Sequence, residues 1–215
     1  MKQIRSILVV TVFLVGFSKT TLADTIIPKR ERMSLQISPL SFLDFFNGSS
    51  YKLGTEVRIF RTFYFSINGG GYFPNFNALK NMKGGNLDFR IKYRFPHSNS
   101  AVSISYFYKK QSFEYHDAYE EEPDVPITVY TRKTVSCFNL NYEHRVGQLF
   151  RKGYIDVFAG FGMRLRDVKS SFETKHDFDR LVNGGDSQSL YLVLIPGQKT
   201  WFNLNFGLRL GYYLF

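Results

Sequence analysis

The chain has one cysteine, one tryptophan and four histidines in 215 residues, and after its first two dozen positions it has no long apolar run. The lone Cys137 excludes an intramolecular disulfide and a cysteine zinc site. His97, His116, His144 and His176 show no metal-ligand spacing, so neither a metal nor any other cofactor is expected. No later stretch approaches the ~20 apolar residues that a spanning helix needs, which excludes a helical membrane protein.

Aromatics and positive charge are abundant: 23 Phe, 14 Tyr, and 28 Lys+Arg against 18 Asp+Glu, for a formal net charge of +10. At 44% hydrophobic residues the chain is too apolar to be disordered, and its length suits one domain. Such a charge would normally raise nucleic acid as a partner, but the N-terminus argues for export and against that partner. Lys2 and Arg5 precede an apolar run over 7–17 broken only by Thr11 and Gly16, and Thr21-Leu22-Ala23 offers small residues for cleavage. Residues 1–23 therefore read as a signal peptide, too short in its apolar part to remain as an anchor. With no cysteine near the cleavage site, a lipoprotein is excluded. Removing three basic residues leaves 25 − 18 = +7. A short periplasmic segment over 24–32 and a barrel over 33–215 complete the expected organisation.

From residue 33 onward, period-two alternation recurs eight times. Over 85–95, Leu87, Phe89, Ile91, Tyr93 and Phe95 fall on one face of a strand, with Asp88, Arg90, Lys92 and Arg94 on the other. The same sorting marks strands around Leu35, Val57, Phe65, Ile104, Leu140, Phe161 and Phe206. The apolar faces carry no Asp, Glu, Lys or Arg. The opposite faces carry thirteen: Lys52, Glu56, Arg58, Asp88, Arg90, Lys92, Arg94, Lys109, Glu143, Asp156, Arg164, Arg166 and Arg209.

A soluble barrel with its apolar face inward would also alternate. Three features favour the opposite orientation: the length of the charge-free faces with Phe and Tyr toward their ends, glycines at mid-strand, and the rhythm of the connections. Connections at 61–62, 96–100 and 146–153 are short, whereas those at 41–50, 74–84, 111–131 and 167–200 are long. The expected fold is all-β, an eight-stranded antiparallel up-and-down transmembrane β-barrel in the cell outer membrane.

The alternating segments and their loop rhythm resemble the small outer-membrane barrels of the OmpA and OmpX type. More narrowly, Ile37-Ser38-Pro39-Leu40-Ser41, Leu53-Gly54-Thr55-Glu56-Val57-Arg58 and Lys199-Thr200 resemble an uncharacterised barrel family of Gram-negative bacteria with no assigned activity. The resemblance implies outer-membrane lipid and the barrel assembly machinery as partners, with Tyr213 and Phe215 as the C-terminal assembly signal. The apolar register runs through Tyr212 and Leu214, one position off Phe215, so a bulge near Tyr213 or a terminal residue outside the strand is expected.

An eight-stranded barrel is just wide enough to be filled by side chains. Its inward charges are then expected to pair, with Glu56, Asp88, Glu143 and Asp156 against Arg58, Arg90, Arg164 and Arg209, as an interior structural network and not an ion path. Basic groups outnumber acidic ones, so several should lie near the barrel ends. Asp117, Glu120, Glu121, Glu122 and Asp124 form an acidic cluster without calcium-loop spacing, and they read as solvated. His176, with Ser170, Ser171, Asp177 and Asp179 nearby, is the one constellation that a lipid- or peptide-modifying enzyme could use, an alternative to a non-enzymatic structural or interaction protein. Asn183-Gly184-Gly185-Asp186 suggests a hairpin in the last loop. The apolar run over 190–195 either packs within the loops or meets a surface or outer-membrane protein partner.

Overall fold

Eight alternating segments become eight strands: β1 (Met33–Ile37), β2 (Leu53–Phe60), β3 (Phe63–Gly71), β4 (Leu79–Arg94), β5 (Ser100–Tyr119), β6 (Glu122–Leu149), β7 (Gly153–Ser170) and β8 (Gly197–Tyr213). The computed structural model describes residues 32–39, 50–74, 79–149, 152–172, 179–181 and 194–214. Each strand pairs antiparallel with its sequence neighbour, and β1 closes the ring on β8 through Ser34↔Tyr213 to Ile37↔Leu210. The fold is a closed, all-β, up-and-down barrel. The segments 1–23 and 24–31 lie outside the described residues.

Burial is inverted through most of the wall. Leu204 and Phe206 on β8 are 72% and 77% exposed, and Ile104 on β5 is 65% exposed. In the same layer Arg90 and Arg209 are only 2% and 1% exposed, inside the ring. On β8 the apolar outer series runs from Phe202 to Tyr212. Those ten steps of ~3.3 Å, tilted by ~40°, give a band ~25 Å tall.

Connections at 61–62, 95–99 and 150–152 share one end of the barrel. At the other end the structure corrects the expected loops. The fifth connection is not a loop over 111–131, because β5 runs to Tyr119 and β6 begins at Glu122. Together they form a hairpin that pairs continuously from Ser100↔His144 to Ala118↔Pro126. The polarity of the alternation explains the difference. Along this extension the inward residues Phe113, Tyr115 and Val129 are apolar and the outward ones Lys110, Glu114 and His116 are polar, the reverse of the wall below. A search for apolar-out strands stops where that sign flips.

The inner face of the extended hairpin is covered by the last connection. Leu79, Met82, Phe113, Tyr115 and Val129 pack with Phe172, Leu181, Leu194 and Ile195 into one apolar cluster. Leu194 and Ile195, the described end of the 190–195 run, are therefore packed within the loop end. The hairpin expected at 183–186 lies outside the described residues.

Two kinds of close approach account for the mid-strand glycines. A Cβ at Gly162 would stand 1.8 Å from the Phe138 carbonyl oxygen, and one at Gly160 2.3 Å from that of Leu140, so β7 lies against β6 too closely for any side chain. At Gly207 and Gly211 the space is filled by the rings of Phe158 and Tyr154. Gly162→Ala should force β6 and β7 apart and lower stability by about 1–3 kcal/mol, the usual range for overpacking. The urea midpoint of the refolded variant in detergent micelles checks this; an unchanged midpoint refutes the close approach.

Candidate functional site

The interior charges come together because alternation gives every strand one inward face and the register sets their heights. In the register Arg145 stands opposite Asp156 across β6 and β7, and Asp156 opposite Arg209 across β7 and β8. Lys92 stands at the centre. Its Nζ lies 2.5 Å from Glu56, 2.8 Å from Glu143 and 3.5 Å from Asp156. Arg145 grips Asp156 with two hydrogen bonds, Nε at 2.7 Å and Nη2 at 2.9 Å. Arg209 reaches Glu143 at 3.2 Å, and Arg90 reaches Asp88 at 3.0 Å and Glu143 at 3.4 Å. Arg94 lies 3.8 Å from Asp156 and 4.0 Å from Glu56. Ser103 Oγ donates to Glu143 at 2.5 Å.

Aromatic rings fill the remaining volume. Arg145 lies over Tyr154 at 3.6 Å and Arg209 over Phe158 at 4.1 Å, contacts that spread a desolvated guanidinium charge onto a ring face. Tyr154 Oη joins β1 to β7 by hydrogen bonds with Ser34, 2.7 Å, and Gln36, 2.9 Å. Above this layer, Asn203 donates to Asn139 and Asn205 to Asn141, each at 2.7 Å.

Six of the eight residues named from the sequence, Glu56, Asp88, Arg90, Glu143, Asp156 and Arg209, meet in this network. Arg58 and Arg164 stand apart from it. Arg58 is half-buried near the short-turn end, opposite Tyr64, and Arg164 is half-buried with Trp201, whose ring it overlies at 5.5 Å. Lys92, Arg94 and Arg145 take their places. Lys92 and Arg94 were visible as inward charges, and only the three-dimensional register distinguishes their partners. Arg145 shares the parity of Glu143 but lies beyond Tyr142, the last residue of the apolar alternation that marks this strand in the sequence, whereas β6 runs on to Leu149.

Tyr213 points inward, accepts a hydrogen bond from Arg145 and packs its ring against that of Tyr154, centroids 4.8 Å apart and tilted by 43°. The pairing of β8 with β1 and β7 has no bulge, and Leu214 follows the strand with its amide on the Met33 carbonyl. Phe215 lies outside the described residues.

The acidic cluster is divided by the hairpin. Asp117 faces inward and accepts from Tyr115 Oη at 2.9 Å. Burial, reinforced by that carboxylate, pushes the Tyr115 phenol above its usual range. Glu121 at the tip pairs instead with Arg180 at 2.9 Å. Among the described residues, no three His, Cys, Asp or Glu side chains are placed to hold a metal ion. Ser171 Oγ accepts from the Tyr130 amide and Ser170 Oγ from that of Phe172, so both serines serve the backbone at the end of β7. His176 and Asp177 lie outside the described residues.

No family model, curated protein or solved structure matches the chain.

Among the described residues, ion pairs and aromatic rings cross the interior, and eight strands give room for little more than such side chains. Purified protein in planar bilayers should therefore give no stepwise conductance. Steady, reproducible single-channel currents would contradict the packing.

Proposed function

We propose that the protein is an integral outer-membrane β-barrel without enzymatic activity, whose long-loop end meets other components of the cell surface. The observation that carries this reading is the inverted wall: charge-free and apolar outside, charged and hydrogen-bonded inside, over a height that matches a bilayer's hydrocarbon region. In water such a surface would associate without limit. In lipid it is the expected solution, because a closed barrel satisfies every backbone group and leaves no edge. The change of sign on the β5–β6 hairpin supports the same reading. Above the band the strands bury apolar residues inward and present polar ones outward, as a sheet in water does.

The N-terminal pattern of a signal peptide and the likeness to small outer-membrane barrels supply the address. Outer-membrane lipid is then the wall's solvent, and the barrel assembly machinery its route of insertion. For an interaction role the support is positional, since a rigid scaffold holds a long hairpin and the last connection at one end, and loops held this way commonly carry function. Affinity purification in mild detergent, comparing the full protein with one lacking the tip of the last connection, tests it. A partner lost with the tip supports a loop interface, and an identical co-purifying set from both removes it.

A further inference from the structure

The outer face has one feature that a purely passive wall does not require. Resting on the membrane reading above, we propose that the β4–β7 face, just beyond the apolar band on the long-loop side, is a binding surface for the phosphate headgroups of lipids in the adjacent leaflet.

The register places the groups. Leu87, Tyr108, Ser136 and Leu165 stand side by side on β4 to β7 as the last row of the band. The next outward row is Gly85, Lys110, Thr134 and Asp167, and the one beyond it is Lys83, Ser112, Arg132 and Lys169. Lys83, Lys110, Arg132 and Lys169 are all exposed. With strands ~4.8 Å apart and ~7 Å between alternate residues, the four cations fall within ~15 Å of one another, one or two rows from the apolar edge. That is where headgroup phosphates lie. Lys80 adds a fifth exposed cation farther out.

The acidic groups in the patch are fewer. Asp167 is half-buried in the nearer row, and Glu114 accepts from Asn81 at 2.6 Å and lies 3.8 Å from His116. Five cations thus face two carboxylates. Past β7 the nearer row continues into Gln198 on β8, and the exposed Lys199 beside it has the opposite parity, opposite the inward Arg166. At the short-turn end the exposed cations among the described residues, Arg32, Arg61 and Lys152, lie before β1, in the β2–β3 turn and in the β6–β7 turn, and do not form rows across successive strands. Like charges on neighbouring strands repel one another, which is unfavourable in a bare wall and favourable against a dense anionic surface.

The test uses the whole mature protein in a neutral detergent, titrated with phosphatidic acid, with phosphatidylcholine and with inorganic phosphate, and read by native mass spectrometry. Phosphatidic acid should bind in preference to phosphatidylcholine, and inorganic phosphate should compete only weakly. Changing Lys83, Lys110, Arg132 and Lys169 to Gln should weaken phosphatidic acid binding by about fivefold per charge removed, whereas Arg61→Gln with Lys152→Gln should leave it unchanged. Asp167→Asn, which removes an acid from the patch, should tighten binding and gives a reading even if the fourfold variant folds poorly. Equal binding of both lipids, no response to Asp167→Asn, or full competition by inorganic phosphate overturns the proposal. Insertion into phosphatidylcholine vesicles, scored separately by protease protection, tells the two readings apart: failure to insert defeats the membrane reading, and insertion without phosphate preference defeats this one alone.

Discussion

Replacing Lys92 with Met should destabilise the barrel more than any other single change inside it, by about 3–5 kcal/mol. The ammonium is the shared partner of Glu56, Glu143 and Asp156, and its side chain is 1% exposed. Met fills a similar volume but leaves three carboxylates facing one another where water does not reach. Their remaining partners, Arg145 and Arg94 for Asp156 and Arg209 and Arg90 for Glu143, soften the loss; among the described residues Glu56 is left with Arg94 at 4.0 Å. Adding Glu56→Gln to Lys92→Met should therefore recover part of the stability, and the double variant should be less destabilised than the two single changes summed. Arg61→Gln, on the exposed β2–β3 turn, should cost under about 1 kcal/mol. Urea unfolding in micelles, followed by the fluorescence of Trp201, the only tryptophan, separates these cases. A wild-type midpoint for Lys92→Met would mean that the interior charges are not held as a network.

Phe206→Arg should be nearly as damaging for the opposite reason. Phe206 lies near the middle of the outer series on β8 and is 77% exposed, so in water an arginine there would be harmless. In a bilayer a charge at mid-depth on the lipid face is worth about 2–4 kcal/mol of destabilisation, falling toward zero at the interface. Tyr130→Arg serves as the control, since Tyr130 is 60% exposed but lies beyond the band on the extended hairpin. The expected result is a large loss in lipid vesicles for Phe206→Arg and almost none for Tyr130→Arg. Equal effects at the two sites would place both in the same solvent.

The sequence told strand number, direction and facing because each strand is sorted by two different environments. Over 85–95 the inward Asp88, Arg90, Lys92 and Arg94 and the outward Leu87 and Ile91 leave one reading, and the structure keeps it. The extended hairpin looks like a loop in the sequence because its alternation persists with the opposite sign. Arg145 was lost to a strand boundary, the least determinate feature of a sequence pattern. The centrality of Lys92 was not legible, because alternation gives the face of a side chain and not its height, and the pairing depends on the register across four strands. Arg58 and Arg164 share the parity of the network but stand above or below it, which no periodicity records.

The central claim is that the apolar face is in lipid and the charged face is not. Its most direct test is paramagnetic relaxation of side-chain methyl and ring signals in lipid nanodiscs, with a spin label at the acyl-chain centre and, separately, a water-soluble relaxation agent. Ile104, Leu204 and Phe206 should be broadened by the lipid label and untouched by the aqueous agent, while Tyr130 and Val125 on the exposed hairpin should show the reverse. Broadening of Ile104, Leu204 and Phe206 by the aqueous agent, with no effect of the lipid label, would contradict the account.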